Sequence, residues 1–109
     1  MKIIFFLLSS SCINILNSLI ENHNIISIVS KKQPEATKRR KIMQSEVSLF
    51  ASNNNIPFLD PDILDSKFKD KLKKMKPDLF LVCAYGKILS DDFIKIPTYG
   101  TLNIHPSLL

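Results

Sequence analysis

The run Ile3-Ile4-Phe5-Phe6-Leu7-Leu8 decides how the rest of the chain is read. It is continuously apolar, with no polar residue at alternate positions. Such a run fits a strand buried on both faces, as in the middle of a parallel sheet. Ser9 to Ser11 follow and can cap a helix. Ile13, Leu16, Leu19 and Ile20 then recur at helical spacing, so residues 11–22 are expected as an amphipathic helix. Asn22 and Asn24 flank His23 in a turn, and residues 25–30 form a second, β-branched run. Strand, helix and strand in this order make a βαβ unit.

The pattern continues outward. Residues 31–42, Lys-Lys-Gln-Pro-Glu-Ala-Thr-Lys-Arg-Arg-Lys-Ile, are expected as a charged loop, and residues 45–52 as a short helix that packs through Val47, Phe50 and Ala51. Ile56-Pro57-Phe58-Leu59 reads as a short strand, placed at a sheet edge because proline cannot donate to the ladder. Asp60-Pro61-Asp62 opens a helical stretch in which Phe68, Leu72 and Met75 face inward, and Pro77 closes it. Leu79 to Ala84 is the clearest strand. Ser90-Asp91-Asp92 caps a short helix ending before Pro97, and Gly100 turns the chain into a last strand. Strands alternating with helices throughout predict an α/β fold with a doubly wound parallel sheet.

A chain of 109 residues makes one domain at most. It can bury roughly two-thirds of its surface, enough for a modest core. The net charge of +5 has two sources open to it. One is an acidic partner such as nucleic acid. The other is the abundance of Ile, Lys and Asn, whose codons are A/T-rich. Cys12 and Cys83 lie far apart in apolar sequence and are expected as free buried thiols in a reducing compartment, with a disulfide as the alternative. No Cys/His spacing suggests a metal site. Met1-Lys2 followed by the apolar run faintly resembles a signal peptide. Its apolar core is short of the ~7–15 residues of a secretory core, and a buried first strand explains it better. No segment reaches the ~20 apolar residues of a membrane span.

The chemistry concentrates in the last stretch, Thr101-Leu102-Asn103-Ile104-His105-Pro106-Ser107-Leu108-Leu109. On a strand, Asn103 and His105 share one face while Leu102 and Ile104 point to the other. Pro106 is expected to end the strand. An amide donor and an imidazole then stand together at the carboxyl end of a strand, where open α/β sheets bind ligands. An imidazole can move a proton, and a neutral amide can stabilise a developing oxyanion. Together they suit attack of an amine on an acyl carbon. The plainer alternative is a strand-end cap beside a structural histidine.

Two motifs carry a family resemblance. Asn103-Ile104-His105-Pro106-Ser107-Leu108-Leu109 is similar to the signature of folate-dependent formyltransferases. Ala84-Tyr85-Gly86-Lys87-Ile88-Leu89 resembles the preceding loop of the methionyl-tRNA formyltransferase family. Met1 to Phe6, Ile56-Pro57 and Pro77-Asp78 also fall where that family has them. The resemblance implies a Rossmann-like domain over residues 1–109, incomplete at its carboxyl end, without the family's carboxy-terminal tRNA-binding domain and its catalytic aspartate. It implies 10-formyltetrahydrofolate as formyl donor, no metal, and initiator methionyl-tRNA as acceptor. Asn103 and His105 become the catalytic pair. Tyr85, Gly86, Lys87, Ile88 and Leu89 become folate contacts.

The resemblance has departures. The family carries Gly-Thr-Pro after its first strand where Leu7-Leu8-Ser9 stands here, and its Gly- and Arg-containing loop after the second strand is shortened to residues 35–41. Lys38-Arg39-Arg40-Lys41 could neutralise RNA phosphates or be a solvated run; no aromatic interleaves it to stack on bases. The family's related loop meets tRNA, which assigns Arg39, Arg40 and Lys41 to the acceptor. Tyr99, His23 and the lysine face of residues 67–76 read as structural or solvated. The implied location is cytoplasmic or an organellar matrix, with the full-length protein a monomer and no protein partner. Glycinamide ribonucleotide or a sugar amine remain alternative acceptors. An inactive remnant or a small RNA-binding module is the alternative outside enzymes. The fragment alone is expected to be inactive and prone to association.

Overall fold

A computed structural model describes residues 1–7, 12–30, 38–61, 63–83 and 89–104, with 38–45 as backbone alone. Among the described residues five parallel strands form one sheet: β1 (Lys2–Leu7), β2 (Asn24–Val29), β3 (Phe58–Leu59), β4 (Leu79–Cys83) and β5 (Thr101–Ile104), in the spatial order β3-β2-β1-β4-β5. The helices described between them are, in turn, α1 (Cys12–Leu19), α2 (Lys38–Asn53), α3 (Ser66–Lys74) and α4 (Asp91–Ile94). The doubly wound parallel sheet expected from the alternation is what forms.

β1 lies at the centre because both of its faces are apolar. Ile3, Phe5 and Leu7 pack with Cys12 and Leu16 of α1 and Val47 and Ala51 of α2. Ile4 and Phe6 point the other way and pack with Phe68 and Leu72 of α3 and Phe93 of α4. Phe6 meets Phe80 of β4 with ring centroids 4.9 Å apart. Residues 3–7 are all buried. Each such side chain contributes about 1.5–3 kcal/mol by leaving water, so β1 anchors both layers. Helices on opposite faces follow from right-handed crossovers that reverse direction between β1 and β4.

The strand starts are tied together as well. The Lys2 amide donates to the Asp78 carboxylate at 2.7 Å, and the Asp78 amide donates to the Lys2 carbonyl at 2.8 Å. β3 lies at an edge of the sheet among the described residues, as the Pro57 that precedes it predicts. The Pro57 carbonyl still accepts from the Ile28 amide at 3.0 Å.

Three sequence expectations need correction. First, the basic run is helical, not a loop. α2 begins at Lys38, and lysine and arginine are good helix formers. Second, α3 starts at Ser66 rather than near Asp60. Asp65 is its N-cap and accepts the Phe68 amide at 2.9 Å, which satisfies one of the open donors of the helix start. Third, Cys12 and Cys83 are joined by a disulfide instead of being free thiols. They are 71 residues apart in sequence, but the fold brings the start of α1 against the end of β4 with the two Cα atoms 6.2 Å apart. That lies within the range a disulfide spans. Both residues are fully buried.

Candidate active site

In an open α/β sheet the ligand crevice lies outside the carboxyl ends of the strands, where the strand order reverses. Here that place is between β1 and β4, beyond Leu7 and Cys83. The disulfide sits at this point and fixes the first residue of α1 to the last of β4. Residues 84–88 follow Cys83 directly.

β5 brings Asn103 to the same end. Across the sheet the register aligns Leu59, Val29, Phe6, Val82 and Asn103 in one row. Asn103 is the polar member of that row, and it is exposed. Its face is set by its neighbour two residues back. The Thr101 hydroxyl donates to the Ile94 carbonyl of α4 at 3.1 Å, so Thr101 and, by alternation, Asn103 lie on the α4 side. Ile104 lies on the other side and packs against the α1 and α2 core. Leu102 is exposed although it shares that side.

The α4 side also holds Leu89. It is buried and belongs to the cluster of Val82, Phe93 and Phe68. Leu89 and Asn103 thus fall on one face of the sheet at its carboxyl end. Short α4 is held by backbone bonds from Phe93 and Ile94 to the Ser90 carbonyl, both 3.0 Å. Gly100, with φ +94°, makes the turn that feeds β5. The fold therefore unites two of the residues singled out in the sequence. Tyr85, Gly86, Lys87, Ile88 and His105 lie outside the described residues.

Arg39, Arg40 and Lys41 fall in the first turn of α2, on the opposite face of the sheet from Asn103. α2 begins after β2, so its start also belongs to the carboxyl end of the sheet. Its first turn carries no acidic residue. Positive charge at a helix start is unfavourable by about 0.3–1 kcal/mol per residue, and an anion there relieves it. Among the described residues, no group of three or more His, Cys, Asp and Glu is placed to hold a metal ion. Among them too, no helix is long and apolar enough to cross a membrane.

A parallel five-stranded sheet with helices on both faces defines a Rossmann-like α/β domain among the described residues. The family model described as formyl transferase matches residues 1–109, and the chain belongs to that family. Proteins named methionyl-tRNA formyltransferase are similar to it along its whole length. The one from Borrelia hermsii is 32% identical over 109 residues, the one from Fusobacterium nucleatum 36% over 110, and the one from Clostridium acetobutylicum 35% over 111. Each match takes in 100% of this chain and 35 or 36% of the relative. The chain thus spans about a third of the length of the curated relatives it matches.

Proposed function

We propose that the protein transfers a formyl group from 10-formyltetrahydrofolate to the amino group of methionyl-tRNA, acting in the cytoplasm or an organellar matrix. The observation that carries this reading is the position of Asn103, at the carboxyl end of β5, on the face that also holds Leu89. Family membership over residues 1–109 supports the chemistry, and the names of the relatives support the acceptor.

A folate donor is what membership of the formyl transferase family supports. A pterin is flat, with apolar faces and a polar edge. Leu89 and Phe93 are buried in the core on the Asn103 side of the sheet, so Leu89 would support the pterin site from beneath rather than lie against the ring. The backbone of residues 85–89 would supply partners for the polar edge. The donor brings the formyl carbon. As the acceptor amine attacks it, negative charge grows on the formyl oxygen. Asn103 would donate its amide N–H to that oxygen, and a preorganised donor of this kind is worth about 2.7–4 kcal/mol in the transition state. His105 would carry the proton released by the amine to N10 of the donor as the bond between the formyl carbon and N10 breaks and tetrahydrofolate leaves, or stabilise the oxyanion as imidazolium. Arg39, Arg40 and Lys41, at the start of α2, would meet phosphates of the tRNA. The rest of the catalytic apparatus, including the aspartate expected from the family resemblance, would come from chain beyond residue 109.

The test is an acceptor comparison on the full-length protein with 10-formyltetrahydrofolate as donor. Transfer to methionyl-tRNA should exceed transfer to glycinamide ribonucleotide or to sugar amines. Faster transfer to either of those would replace the acceptor, and no transfer to any amine would end the reading.

A further inference from the structure

We propose a nucleotide-binding subsite at the start of α3, formed by Pro61, Ile63, Asp65, Lys67, Phe68 and Lys71, which takes one nucleotide of single-stranded RNA. These residues line an open groove of about 330 Å³. The proposal rests on the reading of the protein as an enzyme with an RNA acceptor, and it adds a second contact to the one at α2.

The groove belongs to the functional end of the sheet. β3 ends at Leu59, and α3 starts six residues after Asp60 on the same side as Asn103 and Leu89. Phe68, at the floor, is part of the cluster that includes Leu89, with its ring centroid 6.5 Å from that of Phe93. The groove is therefore built on the layer that carries the candidate site.

Its chemistry is mixed. Ile63 is 64% exposed, a large apolar side chain at the mouth of a groove floored by Phe68. That surface suits the flat face of a base. Lys67 and Lys71 are one helical turn apart, so both reach the same rim. Lys69, on another side of the helix, is engaged with Asp92 at 3.6 Å. Two cations spaced by one turn suit the phosphates on either side of one nucleotide. Asp65 also lines the groove, and its Oδ1 is taken by the Phe68 amide. A carboxylate there disfavours a bare polyanion. It favours a ligand that joins phosphate to a hydrogen-bond-donating ring, such as adenine or cytosine.

The experiment is fluorescence anisotropy of the full-length protein with labelled six-nucleotide single-stranded RNA at several salt concentrations. Lys67→Ala/Lys71→Ala should weaken binding roughly tenfold and lower the salt slope by about 1.4, the value for two lost phosphate contacts on a single strand. Ile63→Ser should weaken binding roughly fivefold with the slope unchanged, since it removes apolar contact only. Lys73→Ala/Lys74→Ala removes the same charge from the same helix outside the groove and should change little. Equal losses in the two lysine pairs would overturn the subsite in favour of diffuse charge. Unchanged binding in both the Lys67/Lys71 and Ile63 variants would overturn it outright. The assay requires no formyl transfer. Loss of the subsite with transfer to methionyl-tRNA intact removes this inference alone, and RNA bound at the groove without transfer removes the catalytic reading alone.

Discussion

Val82 and Asn103 stand opposite each other in the register of β4 and β5, so the candidate oxyanion donor continues the buried row of Val29, Phe6 and Val82 into solvent. The amide is held by a strand yet costs the core nothing. Asn103→Ala should lower kcat of the full-length enzyme by roughly 10²–10³ while leaving thermal unfolding within about 0.5 kcal/mol of the parent. His105→Ala should lower kcat by about 10²–10⁴. Steady-state kinetics beside calorimetry will decide, and near-normal turnover in either variant removes that residue from the mechanism.

Neutralising Arg39, Arg40 and Lys41 should raise KM for tRNA and flatten its salt dependence, with folate affinity unchanged. The run occupies the start of a helix, where the backbone already favours an anion. Removing three cations there should also make α2 slightly more stable. A KM that keeps its salt slope would assign the run to solvation.

The Cys12–Cys83 bond closes a long loop, with the cysteines 71 residues apart. By loop entropy it should contribute about 4 kcal/mol to stability. A denaturant titration with a thiol reductant should shift to a lower midpoint for the parent. Cys12→Ala should start at the lower midpoint and show no shift. A parent midpoint that ignores reductant at equilibrium would mean the thiols are free in solution.

Asp65→Ala should destabilise by about 0.5–2 kcal/mol through loss of the α3 cap, and Asp65→Asn by much less, because asparagine caps equally well. Equal unfolding curves for the parent and the alanine variant would show that the cap contributes nothing.

β5 pairs with β4 on one side, and among the described residues no strand covers its outer edge. Leu102 beside that edge is 57% exposed. Residues 1–109 expressed alone should therefore self-associate, and Leu102→Lys should reduce this by placing a charge at the edge. Sedimentation of the two proteins compares them directly. A monodisperse parent would reject the edge as the cause.

The fold is legible where burial acts on both sides of a segment. Ile3 to Leu7 and Leu79 to Cys83 have to be central strands because nothing else hides so many consecutive apolar side chains. Asn103 is legible through spacing and motif, since a two-residue period fixes its face. Three features escape sequence reading for distinct reasons. The Cys12–Cys83 bond depends on where β4 lands beside β1, which neither cysteine's neighbours encode. The helix at Lys38 follows propensity, while a charged run with a proline nearby reads as loop. The groove at α3 joins Ile63 to two lysines that look solvated when each is taken alone.

The reciprocal bonds between Lys2 and Asp78 tie residues 76 positions apart. At a synthesis rate of about 5–20 residues per second, β1 leaves the ribosome roughly 4–15 s before its β4 partner is made. For that interval one of the most apolar segments of the protein can pair only with β2. The nascent chain should thus be a client for holdase chaperones, and slowing translation between residues 30 and 78 should lower the yield of soluble protein.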